Sequence, residues 1–393
     1  MKDAIGIIGL GYVGLPLANA FVAAGKIVIG FDTNKQKVED ILKNLEKDRL
    51  ISKNTLAKGE LRVTDSPIEL SNCSVIIVCV PTPLGENRLP DLKHVMDAAN
   101  VVGTYLKPGK LIVLESTVSP GTTRDIFFPK ITEISGLDKN SFYLAFSPER
   151  VDPGNKDWNL FNTPKLVAGI GQDATRMAFE LYSKVVSEII ICESVEVAEI
   201  SKLLENSFRF INISFINEIL IYCAKIGVDI NSVIKAASTK PYGFMPFSPG
   251  IGIGGHCIPV DPIYLSTAAR NVGAPSRFID LANDVNQEMP IYFVRKAEEK
   301  MNGLSGKRLL VIGVSYKPNI ADVRETPVEA LIMGLKKQGA HVSWHDALVN
   351  EWNGEKSVVL SNDYDLAILA TPHDYLDLTK LGNVPILNTR GSI

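Results

Sequence analysis

The apolar residues of the chain recur in short runs that alternate with longer segments of helical periodicity. A first run, Ala4 to Gly9, is followed by a glycine turn, an alanine-rich stretch from Leu15 to Ala24 and a second run from Ile27 to Phe31. Short apolar runs indicate buried strands, and the alanine-rich stretch between them indicates a helix. The N-terminal residues are therefore predicted to form a β-α-β unit.

Further apolar runs extend this unit into a larger sheet. They lie at Val75 to Val80, Leu111 to Glu115, Tyr143 to Phe146 and Lys165 to Ile170, with longer helical segments between them. Strands that alternate with helices are typical of a parallel sheet with helices on its faces. We therefore predict a Rossmann-like α/β domain over residues 1–193, with these strands parallel.

The middle of the chain has a helical pattern. It persists from about Ser194 to Gly227, which is long enough for a helix that links domains, and it returns from Pro275 to Asn302. We predict a central, all-helical domain with a long connecting helix over residues 194–302.

An α/β pattern returns at the C-terminal end. A strand at Leu309 to Val314, a helix at Pro327 to Gln338 and strands at His341 to His345 and Leu366 to Ala370 predict a second, smaller Rossmann-like domain over residues 303–393. The predicted fold class is α/β, with a helical domain between two α/β domains.

Length and composition narrow the class of protein. A chain of 393 residues usually needs more than one hydrophobic core, and a net charge of −3 argues against a nucleic-acid partner. The five cysteines are scattered without a CxxC pair, which argues against disulfides and a metal site. The chain opens without a signal-peptide pattern, and no apolar run reaches about 18 residues. We therefore expect a cytoplasmic protein without a membrane partner.

The turn after the first strand reads Gly9-x-Gly11-x-x-Gly14. Glycines in such a turn let the backbone approach a pyrophosphate at a helix N-terminus. Asp32 ends the second strand, where a carboxylate accepts hydrogen bonds from ribose hydroxyls and repels a 2′-phosphate, although Lys37 could soften this preference. The pattern predicts NAD as cofactor, and a glycine turn without a nucleotide is the alternative. The predicted NAD contacts here are Gly9, Gly11, Tyr12, Val13, Gly14, Asp32 and Lys37.

Polar residues follow three other predicted strands. Thr82 and Thr117 are candidates to line the nicotinamide half of the site, because ligands bind at the carboxyl ends of strands in open α/β sheets. Ordinary turn residues are the alternative interpretation. Glu149 and Arg150 place a carboxylate and a guanidinium at the same edge.

In the long predicted helix, three polar residues share one face. Lys202 and Asn206 are four residues apart and Arg209 follows three later, so all project from the same side. Glu199 and Glu205 nearby leave open a second interpretation, a set of exposed ion pairs.

One cysteine lies in the glycine-rich stretch GIGGHCIPVD, residues 252–261. A lone cysteine is most often a small buried hydrophobic residue. The glycines around Cys257 allow a ligand to approach the backbone, and Asp261 follows four residues later. His256 is better suited to holding the loop than to acting as a base, because adjacent side chains seldom face each other.

A dinucleotide-binding fold combined with a nucleophilic thiol has a specific chemical meaning. An alcohol dehydrogenase without a thiol stops at the aldehyde, which has no hydroxyl from which to expel hydride. A thiol that adds to the aldehyde gives a thiohemiacetal, which can release a second hydride and leave a thioester for hydrolysis. The predicted product is a carboxylic acid.

Seven motifs, in order along nearly the whole chain, carry a family resemblance. They are GLGYVGLPLA, VPTP, ESTVSPGTT, SPERVDPGN, SKLLENSFR, GGHCIPVDP and KPNIADVRET. The chain resembles the nucleotide-sugar 6-dehydrogenases of the UDP-glucose/UDP-N-acetylmannosamine dehydrogenase family, which oxidise C6 of a UDP-sugar with two NAD. Within them it is most similar to the UDP-N-acetylglucosamine 6-dehydrogenases.

The resemblance implies roles for individual residues. Cys257 would be the nucleophile, Lys202 would handle the proton and charge of the C6 oxygen, and Glu149 would be the base for thioester hydrolysis. Asn206 and Asp261 would position the intermediate and the water. Thr117 completes the implied catalytic set, and Arg324 would reach NAD. The implied substrate contacts are Glu149, Arg150, Val151, Lys202, Asn206, Arg209, Phe244, Gly254, Lys317 and Arg390.

The resemblance also implies a homodimer through the central helix and UDP-sugar binding by the C-terminal domain. The apolar loop from Tyr242 to Phe247 would lie over the sugar. Relatives that act on the manno epimer often carry basic residues where this chain has Pro241 and Gly243, which favours UDP-N-acetylglucosamine over UDP-N-acetylmannosamine or UDP-N-acetylgalactosamine.

Two other functional classes share parts of this pattern. A two-electron hydroxyacid-type dehydrogenase has the N-terminal fold but needs neither Cys257 nor a second α/β domain with Lys317. A nucleotide-sensing protein would bind NAD without producing NADH. The three classes predict about two, about one and no NADH for each UDP-sugar.

Overall fold

The computed structural model describes residues 4–46, 59–152 and 154–391. The chain divides into two compact units, Met1–Leu204 and Glu205–Ile393. None of the helices within the described ranges combines the length and the apolar character that a membrane crossing requires.

The first unit is built on one sheet, whose strands come mostly from the predicted apolar runs. Its described strands are β1 (Ala4–Ile8), β2 (Ile27–Phe31), β3 (Glu60–Thr64), β4 (Cys73–Val78), β5 (Leu111–Leu114), β6 (Tyr143–Phe146), β7 (Lys165–Gly169) and β8 (Ile189–Ile191). They pair in the order β3-β2-β1-β4-β5-β6-β7-β8. The order changes direction between β1 and β4, and ligands of open α/β sheets bind beyond the carboxyl ends of strands at such a point.

One pairing differs from the prediction that all of these strands are parallel. β7 runs antiparallel to β6, with Ala145 opposite Gly169 and Phe146 opposite Ala168. The segment between the two strands contains no helix among its described residues. A parallel strand needs a crossover connection, whereas an antiparallel strand can be joined by a loop, so the reversal follows from the missing helix.

Helices cover both faces of this sheet. They are α1 (Gly14–Ala23), α2 (Lys35–Glu46), α3 (Lys93–Tyr105), α4 (Phe128–Ser135) and α5 (Gln172–Tyr182), with a π-helical turn at Thr122–Phe127 and 3₁₀ turns at Pro67–Asn72 and Glu86–Arg88. Successive strand residues enter different cores: Ile76 and Val78 pack with α3 and α4, whereas Ile77 packs with α1 and α5. This alternation follows from the two-residue period of a strand.

The long central helix is α6 (Val195–Ile226), which confirms the prediction for residues 194–227. It begins in the first unit and continues into the second. The second unit adds the helices α7 (Ile230–Ala237), α8 (Asp261–Asn271) and α9 (Arg277–Met301). Its glycine-rich loop lies between α7 and α8.

A smaller α/β structure closes the chain, as predicted. It contains β9 (Arg308–Ile312), α10 (Val328–Lys337), β10 (His341–His345), β11 (Glu351–Trp352), β12 (Glu355–Lys356), β13 (Leu366–Leu369), a 3₁₀ turn at Leu378–Leu381 and β14 (Ile386–Asn388). The main sheet has the order β10-β9-β13-β14 with parallel pairing throughout, and β11 and β12 form a hairpin.

Candidate functional site

The turn after β1 is shaped by its glycines. Gly9 has a φ of +91°, and a Cβ atom there would lie 2.6 Å from the carbonyl oxygen of Cys79. A Cβ atom at Gly14 would lie 1.9 Å from the carbonyl oxygen of Gly9, whereas one at Gly11 would meet no described atom within 4 Å. The fold therefore requires Gly9 and Gly14, and Gly11 leaves the space before α1 open to a ligand.

Asp32 lies at the end of β2 and is 7% exposed. Its carboxylate accepts hydrogen bonds from the backbone N–H of Leu10 at 2.9 Å and of Asn34 at 3.0 Å, and from Nζ of Lys37 at 2.8 Å. Burial raises the pKa of this carboxyl, but the three donors outweigh burial and hold the pKa below its usual value. Asp32 is therefore a charged acceptor beside the glycine turn.

This arrangement fits NAD. The open side of Gly11 accommodates a pyrophosphate, and Asp32 can accept hydrogen bonds from ribose hydroxyls. Tyr12 is 64% exposed at the turn, and Val13 is the residue before α1. Thr82 is buried beyond the end of β4. Lys37, expected to soften the cofactor preference, forms an ion pair with Asp32.

Beyond β5 and β6 lie the other polar residues predicted for this edge. Thr117 is half-buried, and the side chain of Glu149 is 17% exposed. Glu149 Oε1 accepts hydrogen bonds from the backbone N–H of Arg150 at 2.8 Å and of Val151 at 2.6 Å. Arg150 Nη1 donates to the carbonyl oxygen of Pro164 at 2.7 Å. The carboxylate is thus fixed through one oxygen.

A buried charged cluster lies beside Glu149, and the sequence reasoning missed it. Lys165 Nζ is 3.1 Å from Glu115 Oε2 and 3.8 Å from Glu149 Oε2, and the hydroxyl of Tyr182 donates to Glu115 Oε1. Burial raises the pKa of Glu115 despite the nearby Lys165, and the pKa of Lys165 is also raised because its two carboxylate neighbours outweigh burial. The sequence did contain a signal for this cluster, because Glu115 ends one apolar run and Lys165 begins another.

Glu199 is not the member of an exposed ion pair on α6 that the alternative interpretation expected. It is fully buried, and its carboxylate accepts hydrogen bonds from the backbone N–H of Gly121 at 2.7 Å and of Thr123 at 2.9 Å. Glu199 therefore caps the π-helical turn before α4. Burial raises its pKa to about 7 although these donors act in the opposite direction.

The buried carboxyl of Glu199 predicts a pH-dependent stability. Its pKa rises from 4.5 to about 7 on folding, so the folded protein binds this proton more tightly than the unfolded chain does. The free energy of unfolding should then fall by roughly 3 kcal/mol at most as pH rises through this window. Glu199→Gln removes the titration. Urea unfolding from about pH 5 to about pH 8 should show the wild type losing stability relative to this variant.

Glu196→Gln is the matched control on the same helix. The Arg124 guanidinium lowers the pKa of Glu196 to about 2, so its contribution to stability is lost only as pH falls below about 4.5. Its stability curve should run parallel to that of the wild type above about pH 5. A Glu199→Gln curve that is also parallel would contradict the assignment.

The predicted polar face of α6 is present. Lys202 and Asn206 are 9% and 7% exposed, and Arg209 is half-buried. Asn206 Nδ2 donates to Asp261 Oδ2 at 2.6 Å, and Asp261 is itself 2% exposed. The structure thus brings together two of the residues that sequence reasoning placed in one site.

Cys257 is the exposed member of the five cysteines; the others are buried or partly buried. Burial raises the pKa of Cys73 to about 11 and the pKa of Cys79 well above the usual value, so these thiols are unreactive. The carbonyl oxygen of Cys257 accepts the backbone N–H of Asp261 at 2.9 Å, which ties the cysteine to the start of α8. The alternative that Cys257 is a buried hydrophobic residue is wrong.

The glycine-rich loop packs against the loop after β9. The backbone N–H of Gly255 donates to the carbonyl oxygen of Arg324 at 3.0 Å. A Cβ atom at Gly254 would lie 2.7 Å from the carbonyl oxygen of Glu325 and 2.8 Å from Cβ of Tyr316. Lys317 follows Tyr316 and is half-buried. The glycines therefore let the cysteine loop approach the segment that carries the predicted substrate residue Lys317.

The remaining predicted residues lie in separate segments of the second unit. The Arg324 guanidinium pairs with Asp322 at 2.6 Å. Arg390 follows β14; burial lowers its pKa, and its carbonyl oxygen accepts from Asn231 Nδ2 at 2.9 Å. Phe244 is 37% exposed in the loop after α7.

The second α/β structure has a glycine turn like the first, but the aspartate that corresponds to Asp32 is already bound by other groups of the protein. Gly313 has a φ of +84°, and a Cβ atom there would lie 2.0 Å from the carbonyl oxygen of Thr371. Asp346 follows β10 as Asp32 follows β2, and it accepts the backbone N–H of Val314 at 2.9 Å. His373 Nε2 lies 3.1 Å from Asp346, with both side chains fully buried. Asp346 therefore holds the loop and is not available to a ribose.

Comparison with known proteins agrees with this division of roles. Residues 3–186 match the NAD binding domain of the UDP-glucose/GDP-mannose dehydrogenase family, residues 196–288 match its central domain, and residues 310–389 match its UDP binding domain. The matches occur in the same order as the glycine turn, the cysteine loop and the second α/β structure.

Individual relatives cover nearly the whole chain. Protein CapL of Staphylococcus aureus is 34% identical, over 97% of this chain and 92% of the relative. UDP-N-acetyl-D-glucosamine 6-dehydrogenase of Pseudomonas aeruginosa is 35% identical, over 89% of this chain and 84% of the relative. The solved structure of UDP-D-ManNAc dehydrogenase from Pyrococcus horikoshii has a TM-score of 0.88 at 30% identity and covers 98% of this chain and 95% of that one. Since the three domain matches follow one another along a chain whose first turn fits NAD, this protein belongs to the UDP-glucose/GDP-mannose dehydrogenase family and is an NAD-dependent enzyme.

Proposed function

We propose that this protein oxidises the C6 alcohol of UDP-N-acetylglucosamine to the uronic acid, a four-electron reaction. The observation that carries the proposal is the exposed thiol of Cys257 in a glycine-rich loop, four residues before Asp261, whose buried carboxylate accepts a hydrogen bond from Asn206. A dehydrogenase that stops at the aldehyde has no use for such a thiol.

Bound NAD supplies the hydride acceptor for both oxidation steps. Gly9, Gly11 and Asp32 would hold its pyrophosphate and ribose. Thr82, Thr117 and Arg324 are proposed to contact the cofactor as well, with Thr117 also in the catalytic set. The residues of the chain bind and orient the cofactor and the sugar, and they move the protons of the reaction.

Cys257 is proposed to attack the C6 aldehyde. Its thiol is exposed, and the hydrogen bond from the backbone N–H of Asp261 to its carbonyl oxygen ties the cysteine to the start of α8. Attack forms a carbon–sulfur bond and places negative charge on the C6 oxygen. Lys202 is the proposed cation for that charge and for the earlier loss of the C6 hydroxyl proton.

Loss of hydride from the thiohemiacetal leaves a thioester on Cys257, which water must hydrolyse. Glu149 is proposed to take a proton from that water while the carbon–oxygen bond forms. The carbon–sulfur bond then breaks and the thiolate leaves. Asn206 and Asp261, joined by a 2.6 Å hydrogen bond, are proposed to hold the water and the intermediate.

The remaining predicted contacts are assigned to the UDP-sugar. Lys317 and Arg390 carry positive charge suited to a diphosphate. Arg150, Val151, Arg209, Phe244 and Gly254 are proposed to contact the nucleotide sugar. Gly243 has a φ of +69°, a conformation that favours glycine, so a basic side chain at this position would strain the loop. This supports the gluco substrate.

UDP-N-acetylmannosamine is the second candidate. The relative from Pseudomonas aeruginosa is named for the N-acetylglucosamine substrate, and the structure from Pyrococcus horikoshii for the N-acetylmannosamine substrate. Pocket contacts that differ by a few hydrogen bonds separate such epimers. The product, an activated uronic acid, is suited to the synthesis of a surface polysaccharide.

Counting NADH tests the reaction. With UDP-N-acetylglucosamine limiting and NAD in excess, absorbance at the NADH band should report two NADH for each sugar consumed, and the product should be the acid. One NADH with an aldehyde product would contradict the proposal. Comparison of kcat/KM for the gluco, manno and galacto N-acetyl sugars and for UDP-glucose identifies the preferred substrate.

A homodimer through α6 is also proposed. Large apolar side chains are exposed along this helix at Val197, Ile200, Leu204, Phe208, Phe215, Tyr222 and Ile226. Each is three, four or seven residues from the next, which places all of them on a common stripe. An apolar stripe of this length usually marks a protein–protein interface.

Phe208→Glu should convert the dimer to a monomer. A charge at the middle of an apolar interface is desolvated without a partner, so the dissociation constant should rise about 100-fold or more. Light scattering after size-exclusion chromatography measures the mass. Met333→Glu, which changes an exposed apolar residue on α10, is the matched control and should remain dimeric. A monomeric wild type would contradict the proposed dimer.

We further propose that the chain acts in the cytoplasm and that its domain boundaries along the sequence lie near residues 193 and 302. A catalytic thiol needs a reducing compartment, which supports the first proposal. The start of α6 at Val195 and the end of α9 at Met301 support the second.

A further inference from the structure

We propose that Lys165 is a positioning residue for Glu149 and that Glu115 and Tyr182 hold Lys165 in place for thioester hydrolysis. This inference rests on the proposed function, in which Glu149 is the base for that step. Nothing else in the proposed mechanism uses Glu115, Lys165 or Tyr182.

The geometry of Lys165 supports a directing role. Its side chain is 4% exposed, and its ammonium lies 3.1 Å from Glu115 Oε2 and 3.8 Å from Glu149 Oε2. It also donates to the carbonyl oxygen of Pro148 at 3.4 Å, next to Glu149 in the chain. One buried cation thus faces two carboxylates and the backbone that carries one of them.

The other members of the cluster hold the ammonium in place. The hydroxyl of Tyr182 donates to Glu115 Oε1, while Lys165 occupies Oε2 of the same carboxylate. Lys165 Nζ also lies 4.8 Å from the centroid of the Tyr182 ring. A buried ion pair is costly unless hydrogen bonds satisfy its remaining atoms, and Tyr182 supplies that bond.

The position of Lys165 affects the orientation of the Glu149 carboxylate. Backbone N–H groups hold Oε1 by hydrogen bonds, and the Lys165 ammonium attracts Oε2 from 3.8 Å, which favours one orientation of the carboxylate. During hydrolysis this carboxylate takes a proton from water as the new carbon–oxygen bond forms; the carbon–sulfur bond breaks, and the proton passes to the leaving thiolate. A base fixed before the step loses less entropy in reaching the transition state.

The test uses the double variant Glu115→Gln/Lys165→Met, which removes both buried charges together and avoids an unpaired ion. Stopped-flow measurement with UDP-N-acetylglucosamine and NAD should show an NADH burst at nearly the wild-type rate, then a steady phase slowed about 10- to 100-fold. Intact-mass spectrometry of acid-quenched enzyme should detect the sugar joined to the protein.

Lys110→Met is the matched control. Lys110 is 6% exposed and precedes β5, and it donates to the carbonyl oxygens of Leu70 and Ser71 at 3.0 and 2.9 Å. Glu115 follows the same strand at its other end. Loss of this buried lysine should reduce the thermal midpoint but accumulate no sugar adduct. Equal adduct in this variant and in the double variant would overturn the inference.

Tyr182→Phe and Glu149→Gln complete the test. Tyr182→Phe keeps every charge and should also show a burst with a sugar adduct, with the steady phase slowed about 3-fold. This variant tests the inference if the double variant does not fold. An adduct in Glu149→Gln without one in either cluster variant overturns this inference alone. Absence of an adduct in Glu149→Gln overturns the base assignment and this inference with it.

Discussion

Replacement of Cys257 with alanine is expected to lower the formation of uronic acid by about 10³-fold or more. Without the thiol, the C6 aldehyde cannot become a thiohemiacetal, so no tetrahedral carbon with a covalent sulfur is available for the second hydride loss. The variant should bind NAD as the wild type does, because the glycine turn and Asp32 lie in the first unit. Product analysis by mass spectrometry together with NADH absorbance measures the loss.

Cys192→Ala provides the control for Cys257→Ala. Cys192 is partly buried just after β8, and burial raises the pKa of its thiol, so it has no role as a nucleophile. This variant should still give two NADH for each sugar. If Cys257→Ala makes acid at the normal rate, the thioester must be removed from the mechanism.

Replacement of Lys202 with methionine is expected to have the second-largest effect. The proposed ammonium stabilises charge on the C6 oxygen in each oxidation step, and loss of one such group costs about 10²- to 10³-fold in kcat. Methionine keeps most of the buried aliphatic volume at a residue that is 9% exposed. Steady-state kinetics should show the loss mainly in kcat rather than KM, since the charge develops only during reaction.

Lys225→Met is the matched control on the same helix. Lys225 lies in the last turn of α6 and is exposed, so its removal should change kcat by less than about 2-fold. A Lys202→Met enzyme with normal kcat and only a raised KM would show that Lys202 binds substrate without stabilising the reacting oxygen. The oxyanion role would then be withdrawn.

The assignment of elements was predictable because hydrophobic periodicity is local. The extent of α6, the strands beside the glycine turn and the second α/β structure all agree with their sequence patterns. The reversal of β7 was not predictable, since an apolar strand of this length carries no sign of its direction. Pairing direction depends on the connection and on the neighbouring strand.

The candidate site residues also divide into features that the local sequence predicts and features that depend on tertiary contacts. Motif and spacing made Cys257, Asn206 and Asp261 candidates, but their exposure and the 2.6 Å contact between Asn206 and Asp261 depend on how α6 and α8 pack. Glu199 illustrates the opposite case. Its sequence neighbourhood left an exposed ion pair open as an alternative, whereas Glu199 is buried and accepts two hydrogen bonds from the turn at Gly121.

The sequence by itself determined the order of the domains, the glycine turn for NAD and the family, because these depend on residue identity and on spacings along one segment. Only the tertiary structure decided which charged residues meet. Glu115, Lys165 and Tyr182 come from three distant segments and form one buried cluster beside Glu149. Asp32 and Asp346 follow equivalent strands, yet Lys37 partners the first and buried His373 closes the second. Burial and long-range contact set the charge and orientation of these groups, and neither quantity is encoded in a local pattern.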